Sequence, residues 1–257
     1  MAASLLQYRT LLYQLTRREF KARYSSARLG IAWAVLNPLL MMVILSIVFT
    51  VFVRVDTGGI AYPLFVLNGL CLWQFFRSTV AATTSCIVDD RDLFRRVAFP
   101  RSLVSLSIVL SNLLNLLLTF PFLFFLMAIY ERPLHFTILL VPLNLVVLAL
   151  LATGLGLITS ATTVFYRDMR YMIEPLLLVL FYGSPILYPL SAVPVAFRPI
   201  YGLNPLVGIL RFQYQALLGG KLDNLGLWAV SWAGAAIVLA CGAWLYRRYG
   251  GLFVDML

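Results

Sequence analysis

SLVSLSIVLSNLLNLLLTFPFLFFLMAIY, residues 102–130, runs without a single Asp, Glu, Lys or Arg. A bilayer crossing needs roughly 17–25 predominantly apolar residues, because the hydrocarbon is about 30 Å thick and a helix rises about 1.5 Å per residue. This run exceeds that length, so a membrane span is expected at 102–129. Runs of the same kind flank it: 29–53 and 60–76, the latter extendable past Arg77 to 88, then 133–166, 175–197 and 224–246. Trimmed to helices, the expected spans are about 30–53, 61–84, 102–129, 137–163, 173–190 and 225–246. Six crossings put both termini on one side.

Composition agrees. Of 257 residues 62% are hydrophobic and 12% charged, with a mean hydropathy of +0.92. Soluble domains sit near about 45–50% apolar and about 25% charged. The excess excludes a water-soluble single domain or a disordered chain. A net charge of +10 raises the question of nucleic acid, but its distribution argues against one. With the N-terminus inside, fourteen Lys and Arg residues fall on cytoplasmic segments and five on outside segments, with Arg77 within a span. That is the positive-inside pattern, so both termini are expected in the cytoplasm. The N-terminus lacks a signal-peptide pattern, since Arg9, Arg17, Arg18, Lys21 and Arg23 interrupt it at helical intervals. Cys71, Cys86 and Cys241 lack CxxC spacing, and His135 has no local ligand partners. Neither a disulfide framework nor a metal site is expected.

Four shorter segments stand out. Residues 4–27 read as an amphipathic helix, with Leu5, Tyr8, Leu12, Thr16 and Phe20 on one side and Gln14, Arg17, Arg18 and Lys21 on the other. Such a helix lies in the headgroup plane, as an anchor or as a surface for a partner subunit. Residues 89–99 place Asp89, Asp90 and Asp92 before Arg95 and Arg96, the order that suits a helix macrodipole, and Pro100 stops that helix. Leu93, Phe94 and Val97 among these charges suit a groove on another protein; the alternative is a solvated connector. Arg167-Asp168 marks a tight charged turn. The apolar run 199–210, bounded by prolines, is too short to span. It fits a helix dipping part-way into the membrane or an interfacial helix in a loop.

No nucleotide-binding GxxxxGK[ST] loop occurs. No Asp or Glu lies in the middle of any span, where an ion-coupled transporter keeps one; Glu174, at the start of the fifth, is the nearest. Energy for uphill movement would therefore come from another subunit. The spans do carry Asn37, Asn68, Gln74, Asn112, Asn115 and Asn144, with Trp33, Trp73, Phe181, Tyr182 and Tyr188. Helix–helix hydrogen bonds and interfacial aromatic belts explain many such residues. A path for a hydrated sugar chain wants the same mixture, and Trp33, Asn37, Phe181, Tyr182 and Tyr188 are its candidate lining.

The motifs in order resemble a known family. Arg17-Arg18-Glu19-Phe20-Lys21-Ala22-Arg23-Tyr24, Leu29-Gly30-Ile31-Ala32-Trp33 and Asn37-Pro38-Leu39 are similar to the start of ABC-2-type polysaccharide-export permeases. Gly69-Leu70-Cys71-Leu72-Trp73, Phe99-Pro100-Arg101, Phe165-Tyr166-Arg167-Asp168, Ser184-Pro185-Ile186-Leu187-Tyr188 and Asn204-Pro205-Leu206 match its later signatures. Within the family the set resembles the membrane subunit of O-antigen and teichoic-acid exporters.

The resemblance implies an all-α integral membrane protein of the ABC-2 (type V exporter) fold. Residues 1–28 would be a cytoplasmic interface helix and 29–257 a transmembrane domain, with short periplasmic re-entrant helices in a gate segment at 189–224. It implies a homodimer in the bacterial inner membrane, paired with two copies of a cytoplasmic ABC ATPase. ATP and Mg would sit on that partner and no cofactor on this chain, which is not itself an enzyme. The cargo would be a lipid-linked polysaccharide threaded between protomers, amid membrane lipids and without nucleic acid. Asp90, Arg91, Asp92, Leu93, Phe94, Arg95, Arg96 and Val97 would couple to the ATPase. Arg17, Arg18, Arg28 and Arg95 would attract the lipid diphosphate at the cytoplasmic mouth, since guanidinium suits phosphate oxygens. Two rivals are an ABC-2 exporter of a drug, antibiotic or small lipid, and a membrane-embedded lipid-linked glycosyltransferase. The latter would need paired acids at a membrane face, where only Asp89, Asp90 and Asp92 cluster.

Overall fold

The computed structural model describes residues 8–25, 28–89, 100, 102–219, 222–223 and 225–250, and all regular structure among them is helical. The described residues form nine α-helices, in order α1 (Arg9–Tyr24), α2 (Ala32–Ile47), α3 (Tyr62–Asp89), α4 (Ser102–Ile129), α5 (Val141–Phe165), α6 (Met169–Tyr182), α7 (Arg198–Gly202), α8 (Pro205–Tyr214) and α9 (Leu225–Tyr249). A wide π turn, Val48–Phe52, prolongs α2, a 3-10 turn, Phe136–Leu140, precedes α5, and a second π turn, Gln215–Gly219, ends α8. Among the described residues five helices are long and apolar enough to cross a bilayer: Ala32–Phe52, Tyr62–Asp89, Ser102–Ile129, Phe136–Phe165 and Leu225–Tyr249.

The sixth expected crossing differs. α6 stops at Tyr182, after 14 residues, about 21 Å at 1.5 Å per residue. Gly183, Ser184 and Pro185 end it, because Pro185 disfavours helical backbone before it and cannot donate to the turn behind it. The chain then folds back onto the bundle. Ile186 is fully buried against Gly69, where a Cβ would stand 3.1 Å from the Ile186 carbonyl oxygen. The Tyr62 hydroxyl donates to the Leu187 carbonyl at 2.8 Å. The apolar run 199–210 is likewise divided: α7 ends at Gly202, and Asn204 caps α8 by accepting from the Leu206 N–H at 3.0 Å. α8 then buries Leu206, Val207, Ile209, Leu210 and Phe212.

α3 is the axis of the bundle, flanked by α4, α5, α6 and α2. α5 packs on it through small and hydroxylated residues: Thr84 Oγ1 and Thr159 Oγ1 are hydrogen-bonded at 2.8 Å, and a Cβ on Gly156 would meet Thr83 at 2.9 Å. On its other side α5 meets α9 at backbone contact. A Cβ on Gly154 would lie 2.6 Å from the Leu239 nitrogen, and one on Gly242 2.5 Å from the Gly154 oxygen. Small residues are how membrane helices approach closely when water supplies no hydrophobic drive between them. A buried polar hub joins α5, α8 and α9. Asn144 Nδ2 donates to the Ile209 carbonyl (3.1 Å) and to Gln213 Oε1 (2.9 Å), and Trp228 Nε1 donates to Asn144 Oδ1 at 3.0 Å.

α1 lies along α4, as its apolar stripe requires. Leu15 and Thr16 are buried, and Tyr8, Leu11 and Leu12 pack on a second core that includes Cys86, Leu103, Val104, Ile108 and Val164. Gly30 has φ +52° in the turn between α1 and α2, a left-handed backbone that glycine adopts without Cβ strain.

Candidate functional site

α2, α3 and α6 enclose an open cleft of about 590 Å³. α2 contributes Asn37, Pro38 and Met41; α3 contributes Leu70, Trp73, Gln74 and Arg77; α6 contributes Glu174, Pro175, Leu178 and Phe181. The positions on α3 follow helical spacing, with Leu70, Trp73, Gln74 and Arg77 three or four apart on one face. Trp73 and Phe181 form the aromatic wall, ring centroids 5.3 Å apart and tilted 50°, and Phe181 meets Tyr182 edge-on at 5.2 Å. One end of the cleft carries an ion pair. Arg77 donates from Nη2 (2.8 Å) and Nε (3.2 Å) to the same oxygen, Glu174 Oε2. A second pair, Arg170 with Asp89, joins the start of α6 to the end of α3. These pairs place opposite charges at two levels along the same two helices.

The cleft therefore offers flat aromatic faces, amides and one internally neutralised charge pair. That surface stacks on C–H groups and exchanges hydrogen bonds without a fixed net charge to trap a ligand. Its chemistry suits passage or weak binding of a polyhydroxylated chain.

Among the residues expected from sequence, Asn37 and Phe181 share this cleft. Trp33, 45% exposed, lines an adjoining smaller cavity with Asn37. Tyr182 and Tyr188 are not among the residues lining the cleft; the Tyr188 hydroxyl donates to the Tyr182 carbonyl at 2.6 Å and lies 2.9 Å from the Tyr201 hydroxyl. Arg17 lines a groove between α1 and α4 with Leu110, Leu113 and Leu114. Arg18 pairs with Glu19 at 2.8 Å, and Arg28 is exposed in the turn before α2. Asp90, Arg91, Asp92, Leu93, Phe94, Arg95, Arg96 and Val97 lie outside the described residues.

Sequence reading missed the pairing of Arg77 with Glu174, although each was conspicuous alone. A basic residue inside a span needs a counter-charge, and the acid nearest to any span was available. It also missed that Arg23 reaches Asn112 Oδ1 (2.6 Å) and Tyr24 reaches Asn115 Oδ1 (2.9 Å). Adjacent residues on α1 meet residues three apart on α4, and the signal was that spacing. Burial raises the Tyr24 pKa, and the Arg23 charge beside it opposes the rise.

Several helices long enough to cross a bilayer, a short broken one, and an aromatic cleft on an exposed helix face define a multi-pass, all-helical membrane protein. The chain belongs to the ABC-2 type transporter family, whose pattern matches residues 10–214. It is 34% identical over 219 residues to the O-antigen export system permease protein RfbA of Myxococcus xanthus, covering 84% of this chain and 83% of that one. A protein of the same name from Klebsiella pneumoniae is 28% identical over 214 residues, 83% of this chain and 82% of its own. The polysialic acid transport protein KpsM of Escherichia coli is 26% identical over 211 residues, 80% and 81% of the two chains.

Proposed function

We propose that this chain is the channel-forming membrane subunit of an ATP-driven exporter of a lipid-linked, O-antigen-like polysaccharide. It works as a homodimer with two copies of a cytoplasmic ABC ATPase, in the inner membrane of a bacterium, with both termini in the cytoplasm. The observation that carries the reading is the similarity to the Myxococcus permease along 84% of the chain at 34% identity. The cleft supports it, because aromatic and amide groups suit a sugar polymer. The outward face of α2, with Leu40, Val43, Ile44, Ile47 and Val51 exposed, supplies apolar surface for lipid and for a second protomer.

In the proposed mechanism the ATPase binds ATP and Mg and pushes on residues 90–97 and on α1. Residue 90 directly follows α3, and the Asp89–Arg170 and Arg77–Glu174 pairs tie α3 to α6. A displacement at the cytoplasmic end of α3 thereby moves α6, one wall of the cleft, and opens the seam between protomers. Arg17, Arg18, Arg28 and Arg95 attract the lipid diphosphate to the cytoplasmic mouth. Phe94 and Arg95 are the residues whose joint replacement uncouples transport from hydrolysis.

The test is ATP hydrolysis by the assembled complex in nanodiscs. Lipid-linked polysaccharide is expected to stimulate it, and small amphiphiles of similar lipid length are not. Stimulation by the amphiphiles alone would move the chain to the small-molecule exporters of the same family.

A further inference from the structure

A pocket of about 300 Å³ lies among the start of α3, the chain between α6 and α7, and α8, and shares no residue with the cleft. Phe65, in the first turn of α3, and Tyr214 of α8 meet edge-on, ring centroids 5.1 Å apart, and with Pro189 supply its apolar side. Arg198, the first residue of α7, and Arg211 and Gln215 supply its polar side. Arg211, Tyr214 and Gln215 are three or four apart, so one face at the end of α8 carries all three. With both termini in the cytoplasm α3 begins on the outer side of the membrane, and the pocket lies there; that orientation rests on the export reading above.

The charge here is one-sided. Arg198 is held by the chain beside it: Nε donates to the Val193 carbonyl and Nη2 to the Ser191 carbonyl, each at 3.0 Å. Neutral carbonyls fix the guanidinium without cancelling its charge, and Nη1 has no acceptor among the described residues. Arg211 is partly exposed and pairs with no carboxylate among the described residues. No acid lines the pocket. Asp56 and Arg132 both act on Tyr214, with opposite sign, and neither is a lining residue. The cleft differs, because there Glu174 neutralises Arg77.

Two guanidinium groups with spare N–H donors select an anion, and a planar carboxylate matches the guanidinium fork. The Gln215 amide both donates and accepts, which suits a hydroxyl. The Tyr214 ring offers a flat apolar face to C–H groups. A volume at the small end of ligand pockets, roughly 300–1,000 Å³, has room for one sugar ring. We infer that this pocket is a subsite for a carboxylate-bearing sugar unit of the exported chain, held by Arg198, Arg211, Gln215 and Tyr214. The cargo is thereby narrowed to an acidic polysaccharide. An anionic lipid headgroup would use the arginines but leave the amide and the ring beside them idle, which favours the sugar. Both arginines reach solvent, so salt screens their pull and the subsite releases what it holds.

The test titrates the full chain in phosphatidylcholine nanodiscs with methyl glucuronide, methyl sialoside and the neutral methyl glucoside, read by saturation-transfer NMR. Saturable binding of at least one carboxylated probe is expected, at least about tenfold tighter than the glucoside. Arg211→Gln is expected to erase that preference. Gln215→Glu sets a carboxylate beside Arg211, so it weakens the carboxylated probes about tenfold and leaves the glucoside unchanged; it carries the test if Arg211→Gln does not fold. Replacing Asn37 and Gln74 with Trp fills the cleft and is expected to leave the carboxylate preference intact; its loss there would place the binding in the cleft and overturn the proposal. No saturable binding, equal binding of charged and neutral probes, or a preference that survives both pocket variants also overturns it. Displacement of the sugars by dihexanoyl phosphatidylglycerol at about a tenth of their concentration assigns the pocket to a lipid instead. No transport is measured, so failure of the subsite and failure of the export reading are told apart by the ATP-hydrolysis assay above.

Discussion

α2 and α3 lie side by side and obey opposite rules. The mean hydropathy of the α2 span is twice that of α3, yet 17% of it is buried inside the protein against 78% of α3. In water the more apolar helix would be the hidden one. In a bilayer, lipid covers apolar surface at no penalty, and the polar atoms are what must turn inward. α3 carries Asn68, Thr79, Thr83 and Thr84, all buried, and Thr83 and Thr84 donate to the carbonyls of Thr79 and Val80 at 2.7 Å. α2 offers Leu40, Val43, Ile44 and Ile47 to its surroundings. The cleft forms where the two regimes meet, with Asn37 of α2 facing Gln74 and Arg77 of α3.

The contrast is most severely tested at the α5–α9 contact. Gly154→Leu forces side-chain atoms into the Leu239 backbone, 2.6 Å from where a Cβ would sit. A loss of about 3 kcal/mol or more is expected, read as disappearance of the monodisperse peak in detergent chromatography. Asn144→Ala comes next. It removes three hydrogen bonds and strands Trp228 Nε1 and Gln213 Oε1. About 2 kcal/mol is expected, read in the thermal unfolding of the chain in nanodiscs.

The exposed pair Arg77–Glu174, with side chains 46% and 50% exposed, is expected to contribute less. Glu174→Gln lowers stability by under about 1 kcal/mol but slows export, because it loosens α6 from α3. Unimpaired export in that variant would remove the ion pair from the mechanism. The smallest effect belongs to the outer face of α2. Ile44→Ala is expected to change unfolding by within about 0.5 kcal/mol. A drop several times larger would mean that protein, not lipid, covers this face, and a cross-linking scan along α2 would then locate the partner helix.

Much of the architecture was legible because its signals are long. No charged residue interrupts 102–129, and the helix Ser102–Ile129 runs through Pro121, so the run and the helix coincide. The helical, membrane-spanning class and the ABC-2 family follow from such runs and from ordered short motifs, and the family match bears the resemblance out. Residues 173–190 were harder: hydropathy continues past Tyr182, but Gly183-Ser184-Pro185 ends the helix, and only packing on Gly69 shows where the chain goes. The site was half legible. Asn37 and Phe181 were named for their chemistry, whereas Gln74, Arg77 and Glu174 join them only through the packing of α3 against α6. Tyr182, the last residue of α6, and Tyr188, beyond its end, share the same chemistry but do not line the cleft. Composition says which residues suit a sugar path, and helix register says which of them face it.

The central claim is that this chain, driven by an ATPase, carries a lipid-linked polysaccharide across the membrane. The most direct measurement is protection of that polysaccharide from an added glycosidase in proteoliposomes holding the chain and its ATPase with the nucleotide sites outward. The account predicts that protection grows with ATP and is lost when Asn37 and Gln74 are both replaced by Trp to fill the cleft. Protection that grows equally without ATP or without this chain, or that persists in the filled cleft, would contradict it.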